Sequence, residues 1–241
     1  MKDAIYRRDF LRALGAALAV PQPSRGEGER ASPQLDHIIL AFNDLNAGVE
    51  FVSAHTGVRP TFGGVHPGAG TCNAVLYLGE RQYMEVLAPD PAQPSSADPY
   101  NLRALPAPRL IGWAVHTNNI DETAKRIHAA GIEALDAQAG SRRRPDGKLL
   151  SWRAVSLKDD MHGLLPFFVE WGVTSPHPSI DAPRGCRLET FEICASDPVG
   201  FRRRLELLRL DIPVIADSPP HLRAAISGPR GKLELSSLET T

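Results

Sequence analysis

The sequence predicts an α+β fold made of repeated modules, each containing a strand, a helix and two or three further strands. Two observations lead to this prediction. An apolar strand followed by an Asn or Asp helix cap occurs three times, and the caps Asp44, Asn119 and Asp197 are separated by 75 and 78 residues. A glutamate also stands inside an apolar strand near the end of each module. Such a repeat is typical of one supersecondary unit used more than once.

Module one is predicted to span residues 35–89. Its apolar first strand ends at Asp44, where an N-cap begins a helix. Leu45, Val49 and Val52 follow at the spacing of a buried helical stripe, and Gly57 ends the helix. The predicted remainder of the module is a strand at 58–61, a glycine-rich loop at 63–70, and strands at 72–78 and 82–88.

Module two is predicted at residues 110–172, and together the two modules form one domain over residues 33–175. Ile120, Ala124 and Ile127 occupy the same stripe positions, counted from the cap, as the apolar residues of the first helix. The third, C-terminal module is predicted at residues 186–238. Its helix begins after Asp197 with proline at the first helical position, which is favourable there. The predicted later strands are 149–157 and 167–171 in module two, and 212–216, 222–227 and 232–235 in module three.

The first thirty residues have the composition of an export signal followed by a linker. Arg7 and Arg8 precede a Phe-Leu pair, and a short run of small and apolar residues follows. This string resembles the twin-arginine signal, which implies a periplasmic protein. The alternative is an amphipathic N-terminal helix, in which case the protein is cytoplasmic. The run is too short to span a bilayer, so no stable membrane anchor is expected.

The overall composition indicates an ordinary globular protein, with 42% hydrophobic and 23% charged residues. The formal net charge of -1 gives no general reason to expect nucleic acid as a partner. The sequence also has no nucleophile elbow, no phosphate-binding P-loop and no dinucleotide-binding fingerprint. Any catalytic or metal-binding residues are therefore expected within the repeated modules.

Glutamates inside apolar strands are the first chemical signal. Glu85, Glu170 and Glu234 each lie in the last strand of a module. A carboxylate there is costly to bury unless it is paired, protonated or bound to a metal. Because alternate strand residues face one side, His37 and Glu85 are expected to point together into module one. An imidazole and a carboxylate suit zinc, nickel, iron or manganese.

Four sequence motifs together resemble one protein family. They are Leu-Asp-His-Ile-Ile-Leu from residue 35, Gly-Gly-x-His-Pro-Gly-x-Gly-Thr-x-Asn from 63, Tyr-Met-Glu-Val-Leu-Ala-Pro-Asp-Pro from 83, and Phe-Phe-Val-Glu-Trp from 167. They resemble the glyoxalase-like branch of the vicinal oxygen chelate (glyoxalase/bleomycin resistance/dioxygenase) superfamily. The resemblance covers residues 35–172 and extends more weakly over residues 187–236. It implies paired βαβββ modules forming a cupped mixed sheet, with the helices outside and a divalent metal in the cup.

The resemblance also implies a set of site residues. His37, Glu85 and Glu170 occupy the positions of metal ligands, and Gly112 stands where a fourth ligand is expected. His66 and Glu85 are the candidate catalytic residues, with His66 able to reach the cup from the glycine-rich loop. The candidate substrate contacts are His66, Asn73, His116, Arg144 and Trp152. Four other histidines are predicted on helix surfaces or loops without a role: His55, His128, His177 and His221.

Two functions are compatible with these features. The first is a metal-dependent lyase, isomerase or dioxygenase-type enzyme that acts on a small oxygenated molecule, and an anionic one is favoured if the arginine-rich turn at 142–148 bends over the cup. The second is a non-catalytic protein that sequesters a small molecule, because Gly112 is the residue expected if metal binding had been lost. An odd number of modules also predicts that the third either packs at a sheet edge or pairs with its copy in a homodimer.

Overall fold

The computed structural model describes residues 34–94, 98 and 100–238, which contain three helices and twelve strands. The strands are β1 Leu35–Ala41, β2 Thr61–His66, β3 Thr71–Gly79, β4 Gln82–Pro89, β5 Arg109–His116, β6 Gln138–Arg143, β7 Leu149–Val155, β8 Phe167–Trp171, β9 Arg187–Ala195, β10 Val214–Ala216, β11 His221–Gly228 and β12 Gly231–Ser236. The helices are α1 Leu45–Thr56, α2 Ile120–Ala129 and α3 Pro198–Leu207. The predicted α+β class is confirmed. The predicted export signal lies outside the described residues, and no described helix is long and apolar enough to cross a membrane.

Modules one and two form a single mixed sheet with the strand order β2-β3-β4-β1-β5-β8-β7-β6. In each module the first strand runs parallel to the last, so β1 lies beside β4 and β5 beside β8. The two modules meet where β1 pairs antiparallel with β5. The halves therefore repeat about this central pair, and the sheet curls into the predicted cup.

The first half of the predicted glycine-rich loop is a strand that closes the cup, because residues 63–66 belong to β2, whereas residues 67–70 form the expected turn. Gly64 in β2 has a φ of 138°, and a Cβ atom there would lie 2.7 Å from the carbonyl oxygen of Arg143 in β6. Glycine thus lets the two edge strands approach each other. The Arg142 guanidinium donates a hydrogen bond to the carbonyl oxygen of Gly63. His66 consequently enters the cup from the end of β2.

The three predicted helix caps are confirmed. The side-chain oxygens of Asp44, Asn119 and Asp197 each accept a hydrogen bond from the backbone N–H three residues later, at 2.8, 3.0 and 2.9 Å. Each bond satisfies one of the donors that a helix N-terminus otherwise leaves unpaired, and a cap of this kind contributes about 1 kcal/mol. The caps fix where each module turns from its first strand into its helix.

The helices bury the predicted stripes against the outside of the cup. In α1 the buried positions include Val49 and Val52, and in α2 they include Ile120 and Ile127. These side chains belong to one continuous apolar core with the outward-facing residues of the sheet. Because the helices occupy the convex side, the concave side is left free for a ligand.

The third module departs from the other two. Its strands form a separate sheet in the order β10-β9-β11-β12, so its first strand is central and its last strand is an edge. This sheet packs on the convex side of the cup, where Phe191 of β9 lies 5.2 Å from Trp113 of β5 between ring centroids. Within the chain, the third module therefore packs on a face of the large sheet and not at its edge, and its pairing with a copy in a homodimer stays a prediction.

Candidate functional site

The concave face of the eight-stranded sheet holds a cavity of about 260 Å³. Strands from both modules line it, and five of the predicted site residues lie in its wall: His37, His66, Asn73, Glu85 and Trp152. Other hollows are larger, including one of about 560 Å³ beside the N-terminus of α1. The cavity in the cup is the candidate site because it joins buried imidazoles and a buried carboxylate to aromatic walls.

A β-bulge in β1 places two ionisable side chains on the same side of the sheet. Leu35 pairs with Val115 and His37 with Ala114, so Asp36 is an extra residue with no partner of its own in β5. Asp36 Oδ1 consequently lies 2.7 Å from His37 Nδ1. The carboxylate orients the ring and leaves His37 Nε2 directed at the cup.

Asp36 is held in its ionised form by a ring of donors. It accepts hydrogen bonds from Trp171 Nε1 at 3.0 Å and from His177 Nε2 at 3.1 Å, in addition to His37. Burial alone would raise the pKa of this carboxyl group, but the bonds to His177 and His37 outweigh burial and hold the pKa well below its usual range. His177, for which no role was predicted, is therefore part of the support of the site.

Glu85 lies between two imidazoles. Its Oε2 atom is 3.7 Å from His37 Nε2, and its Oε1 atom is 3.6 Å from His66 Nε2. Asn73 Nδ2 donates a hydrogen bond of 2.5 Å to Oε1. Burial would raise the pKa of Glu85, but His66, His37 and the bond from Asn73 together lower it. The residue is thus a buried carboxylate at neutral pH.

His66 has the opposite charge preference. Burial lowers its pKa below the ordinary value of 6.5, although the negative charge of Glu85 acts in the other direction. Its Nδ1 atom lies 2.8 Å from Thr71 Oγ1, and its Nε2 atom lies 3.4 Å from Asn73 Nδ2. His66 is therefore a neutral imidazole at neutral pH, with one ring nitrogen facing the cavity.

Aromatic side chains form the rest of the wall. Tyr83 stacks on His37 with 4.5 Å between ring centroids, and Phe167 meets the same imidazole edge-on at 5.5 Å. Trp152 meets His66 edge-on at 6.2 Å and lies 5.7 Å from Trp171. Burial raises the pKa of Tyr83 well above its ordinary value, so the phenol stays protonated. The walls favour an unsaturated or ring-containing ligand.

Glu170 does not reach this group, which corrects the predicted metal-ligand set. Phe167 and Val169 of β8 line the cavity, so Glu170 faces the other side of the strand. Its Oε2 atom accepts a hydrogen bond of 3.3 Å from the backbone N–H of Ile120, at the start of α2. Glu170 therefore satisfies a helix N-terminus.

Strand pairing identifies the residue that takes the expected place of Glu170. Ile39 pairs with Glu85 in module one, and the equivalent Ala114 pairs with Phe167 in module two. Module two therefore offers Gly112 and Phe167 where module one offers His37 and Glu85. Neither Gly112 nor Phe167 carries a donor atom in its side chain, so the ligand positions of module two are without metal ligands.

The five remaining predicted residues have mixed outcomes. Asn73 and Trp152 line the cavity as predicted. His116 is not in its wall, and the Arg144 guanidinium instead bonds Asp181 at 2.7 Å outside it. Glu234 lies on the edge strand β12, where its exposed carboxylate is 2.9 Å from Lys232 Nζ.

Several residues of the site were not predicted. Arg142 lines the cavity, but nothing in a run of three arginines distinguishes it from its neighbours. Tyr83 and Trp171 could have been found by alternation, because each lies two residues from another cavity residue of its strand, Glu85 and Val169. Asp36 could not have been found by alternation, because the β-bulge in β1 turns its side chain to the same side as His37.

One further group of potential ligands exists among the described residues. Cys194 Sγ, His221 and Asp217 offer ligand atoms that all lie within 4.8 Å of one another. They belong to the C-terminal sheet, whereas the cup belongs to the eight-stranded sheet. Within the described part of the chain, no group in the cup meets the same spacing.

Comparisons with known proteins agree with this architecture. A family model described as a glyoxalase-like domain matches residues 35–208. No curated protein matches the chain significantly. A solved structure of a hypothetical protein from Staphylococcus aureus is similar with a TM-score of 0.57 at 15% identity, covering 84% of each chain. This similarity supports the fold.

Two solved enzymes are more distantly similar. A methylmalonyl-CoA epimerase variant from Streptomyces coelicolor, in complex with 2-nitronate-propionyl-CoA, has a TM-score of 0.42 at 25% identity, covering 57% of this chain and 96% of that one. A variant of 4-hydroxymandelate synthase from the same organism has a TM-score of 0.49 at 14% identity, covering 86% of this chain and 63% of that one.

Proposed function

The chain belongs to the glyoxalase-like domain family, and on this premise we propose that it is an enzyme that transfers a proton on a small oxygenated molecule bound in the cup. The observation that carries the proposal is the position of Glu85 between His37 and His66 in a cavity with aromatic walls. Glu85 is favoured as a carboxylate and His66 as a neutral imidazole, and perturbed ionisable groups of this kind in one buried cavity are typical of acid–base catalysis.

His66 is the proposed general base. As a neutral imidazole it can take a proton from a carbon next to a carbonyl group, and the C–H bonding electrons then move through that carbon to the carbonyl oxygen, giving an enolate. Glu85 stabilises the imidazolium that forms, because its carboxylate is 3.6 Å from His66 Nε2. When the first carbon carries a hydroxyl group, His66 returns the proton to the former carbonyl carbon while the hydroxyl proton moves to the former carbonyl oxygen, which completes an isomerisation. When the next carbon carries a leaving group, the enolate electrons expel that group and His66 gives it the proton, which completes a lyase reaction.

Polar groups near the base would bind the substrate oxygens. Arg142 is buried in the cavity wall, and its positive charge favours an enolate or an anionic substrate. Asn73 Oδ1 is buried without a hydrogen-bond partner, although the Nδ2 atom of the same amide is bonded to Glu85. Because this oxygen has no accessible surface, a substrate hydroxyl group can satisfy it only after the Asn73 side chain turns towards the cavity.

The cup does not fit the divalent metal that the family resemblance implies. Two of the four expected ligand positions are occupied by Gly112 and Phe167, and Glu170 caps a helix on the other side of the strand. Asn73 already donates to the carboxylate of Glu85. No step of the proposed reaction is therefore routed through a metal in the cup.

The test follows solvent deuterium into a bound carbon acid. Small 2-oxo and 2-hydroxy acids and cyclic ketones that raise the thermal unfolding midpoint are incubated with the protein in D₂O and followed by NMR. We expect exchange at the carbon beside the carbonyl group, and we expect His66→Gln and Glu85→Gln to slow it by about 10² to 10⁴. His116→Gln, outside the cavity, is the matched control. Unchanged exchange in both cavity variants would overturn the proposal.

The second candidate is a binding protein of the same fold. The observation in its favour is that module two has lost both ligand positions, Gly112 and Phe167, while the aromatic walls remain. Such a protein would bind the same small molecules with no exchange of deuterium. Thermal stabilisation by a ligand that shows no exchange in the wild type therefore favours this function over catalysis.

We also propose that residues 1–30 direct export to the periplasm. The proposal rests on the Arg7-Arg8 pair and the short apolar run that follows it. Fusing these residues to a folded reporter tests it directly. Export should occur with the native pair and stop when both arginines are replaced by lysine, and export of the lysine variant at the native level would contradict the twin-arginine route.

A further inference from the structure

The outer face of the C-terminal sheet brings three potential metal ligands together from three strands. Cys194 of β9 pairs directly across the sheet with His221, the first residue of β11. Asp217 follows β10, which runs parallel to β9 on its other side. The sulfur, a ring nitrogen and a carboxylate oxygen all lie within 4.8 Å of one another. Strand pairing brings these three residues together, because β10 and β11 lie on either side of β9.

His221 is oriented as a ligand by a hydrogen bond to the backbone. Its Nδ1 atom lies 2.8 Å from the carbonyl oxygen of Pro219, which can only accept, so Nδ1 carries the proton. The lone pair is therefore on Nε2, which is 4.0 Å from Asp217 Oδ2. A histidine ligand whose other nitrogen donates to a carbonyl group is the usual arrangement in metal sites.

Burial is graded across the three side chains. Cys194 is fully buried and His221 is almost so, whereas the Asp217 side chain is 46% exposed. An ion could therefore enter past the carboxylate and reach a sulfur shielded from bulk water. Water can also reach the same side and fill a remaining coordination position.

We propose that Cys194, Asp217 and His221 bind a zinc ion, with water as the fourth ligand. A thiolate, an imidazole and a carboxylate are the donor types that zinc takes in tetrahedral sites, at about 2.0–2.3 Å. Magnesium and calcium prefer oxygen ligands only, so the sulfur disfavours them. The thiolate and the carboxylate together neutralise the two positive charges of the ion.

The neighbouring Arg223 leaves room for a cation because its charge already has a carboxylate partner. Its Nε atom lies 4.0 Å from a carboxylate oxygen of Glu192. The Arg223 side chain is 52% exposed and can rotate towards Glu192 and solvent. Small movements of the exposed Asp217 carboxylate then complete the closure around the ion.

The site is independent of the proposed reaction in the cup. Zinc here would tie β10 to β9 and β11, and thereby fix the C-terminal sheet. Its presence or absence can be measured without a substrate.

The test uses the full chain, stripped of metal with a chelator and kept reduced with a phosphine. Titration with Co²⁺ should give one equivalent bound and a near-ultraviolet absorption from thiolate-to-cobalt charge transfer, and zinc should abolish that absorption. Cys194→Ser should remove the band. The matched controls Cys72→Ser and Cys186→Ser, at the two other buried free cysteines, should keep it.

A second variant covers the case in which Cys194→Ser does not fold. Asp217→Asn changes a half-exposed side chain and should lower cobalt and zinc affinity by at least about tenfold, since even loss of an outer-shell partner costs 10- to 100-fold. Zinc should raise the thermal unfolding midpoint of the wild type more than that of Asp217→Asn. Absence of the charge-transfer band in the wild type, or equal zinc affinity in Asp217→Asn, would overturn the proposal.

Discussion

At the scale of single residues, the site depends on carboxylates that are buried together with their partners. Asp36 is fully buried and accepts hydrogen bonds from His37, Trp171 and His177, which come from β1, β8 and the segment after β8. A buried charge is stable only when such partners are in place. Asp36 therefore fixes the orientation of His37 and also joins the two modules at the base of the cup.

Asp36→Asn should destabilise the protein by about 3–5 kcal/mol, the usual cost of removing one partner from a buried charged network. The asparagine side chain has one oxygen instead of two, so it cannot accept hydrogen bonds from His37, Trp171 and His177 together. Its NH₂ group would instead face one of these donors. Urea unfolding measures the difference. Asp121→Asn, at an exposed carboxylate paired with Arg153, is the control and should leave the midpoint nearly unchanged. Equal effects of the two changes would contradict the role given to Asp36.

His66 should make stability depend on pH. Its pKa in the folded protein is lowered by burial, so below the ordinary value of 6.5 the unfolded chain binds the proton more readily. The stability that His66 contributes is therefore full above pH 6.5 and falls as the pH drops from there towards the folded-state pKa. We expect the free energy of unfolding of His66→Gln to fall less steeply over this window. Identical slopes for variant and wild type would show that His66 is not buried as a neutral ring.

At the scale of secondary-structure elements, β8 presents its two faces to different parts of the molecule. Phe167 and Val169 face the cavity, and Glu170 faces the start of α2. The carboxylate at a helix N-terminus is favourable because the unpaired N–H groups carry partial positive charge there. The role of Glu170 is therefore to anchor α2.

Glu170→Gln should lower stability by about 0.3–1 kcal/mol, through loss of charge at the N-terminus of α2. The metal content of the purified protein, measured by mass spectrometry, should not change. The matched comparison is Glu85→Gln, because Glu85 faces the cup and Glu170 does not. A loss of metal in Glu170→Gln alone would restore the metal-ligand assignment made from the motif.

The same strand explains why the sequence predicted the fold better than the site. The three caps and the apolar stripes are local signals, read within one turn of helix, and all three caps are confirmed. The inward direction of Glu85 also followed from alternation. The direction of Glu170 depended on how β8 pairs with β5, and a shift of one residue reverses every side chain of a strand. No local pattern in Phe-Phe-Val-Glu-Trp contains that information.

At the scale of the whole molecule, one apolar core joins the two sheets. It continues from the convex side of the cup through α1 into the C-terminal sheet. Trp113 is fully buried at this junction and contacts Phe191. The strand order of the third module could not be predicted, because its central β9 pairs with β10 and β11 through contacts distant in the chain.

Phe191→Ala should lower stability by about 3–5 kcal/mol, the cost of a large cavity in a well-packed core. Because both sheets share that core, the loss should appear in a single unfolding transition detected equally by tryptophan fluorescence and circular dichroism. Val199→Ala, on the exposed side of α3, is the control and should lie within about 0.5 kcal/mol of the wild type. Two separate transitions in the wild type would contradict a shared core.

The approach of β2 to β6 has a consequence for self-association. The outermost strands of an open sheet present unpaired N–H and C=O groups, to which a strand from another molecule can add and start aggregation. Here β2 and β6, the two outer strands of the eight-stranded sheet, face each other, and the Arg142 guanidinium donates a hydrogen bond to the carbonyl oxygen of Gly63. The glycines that let β2 approach β6 thus also protect the sheet against growth from chain to chain.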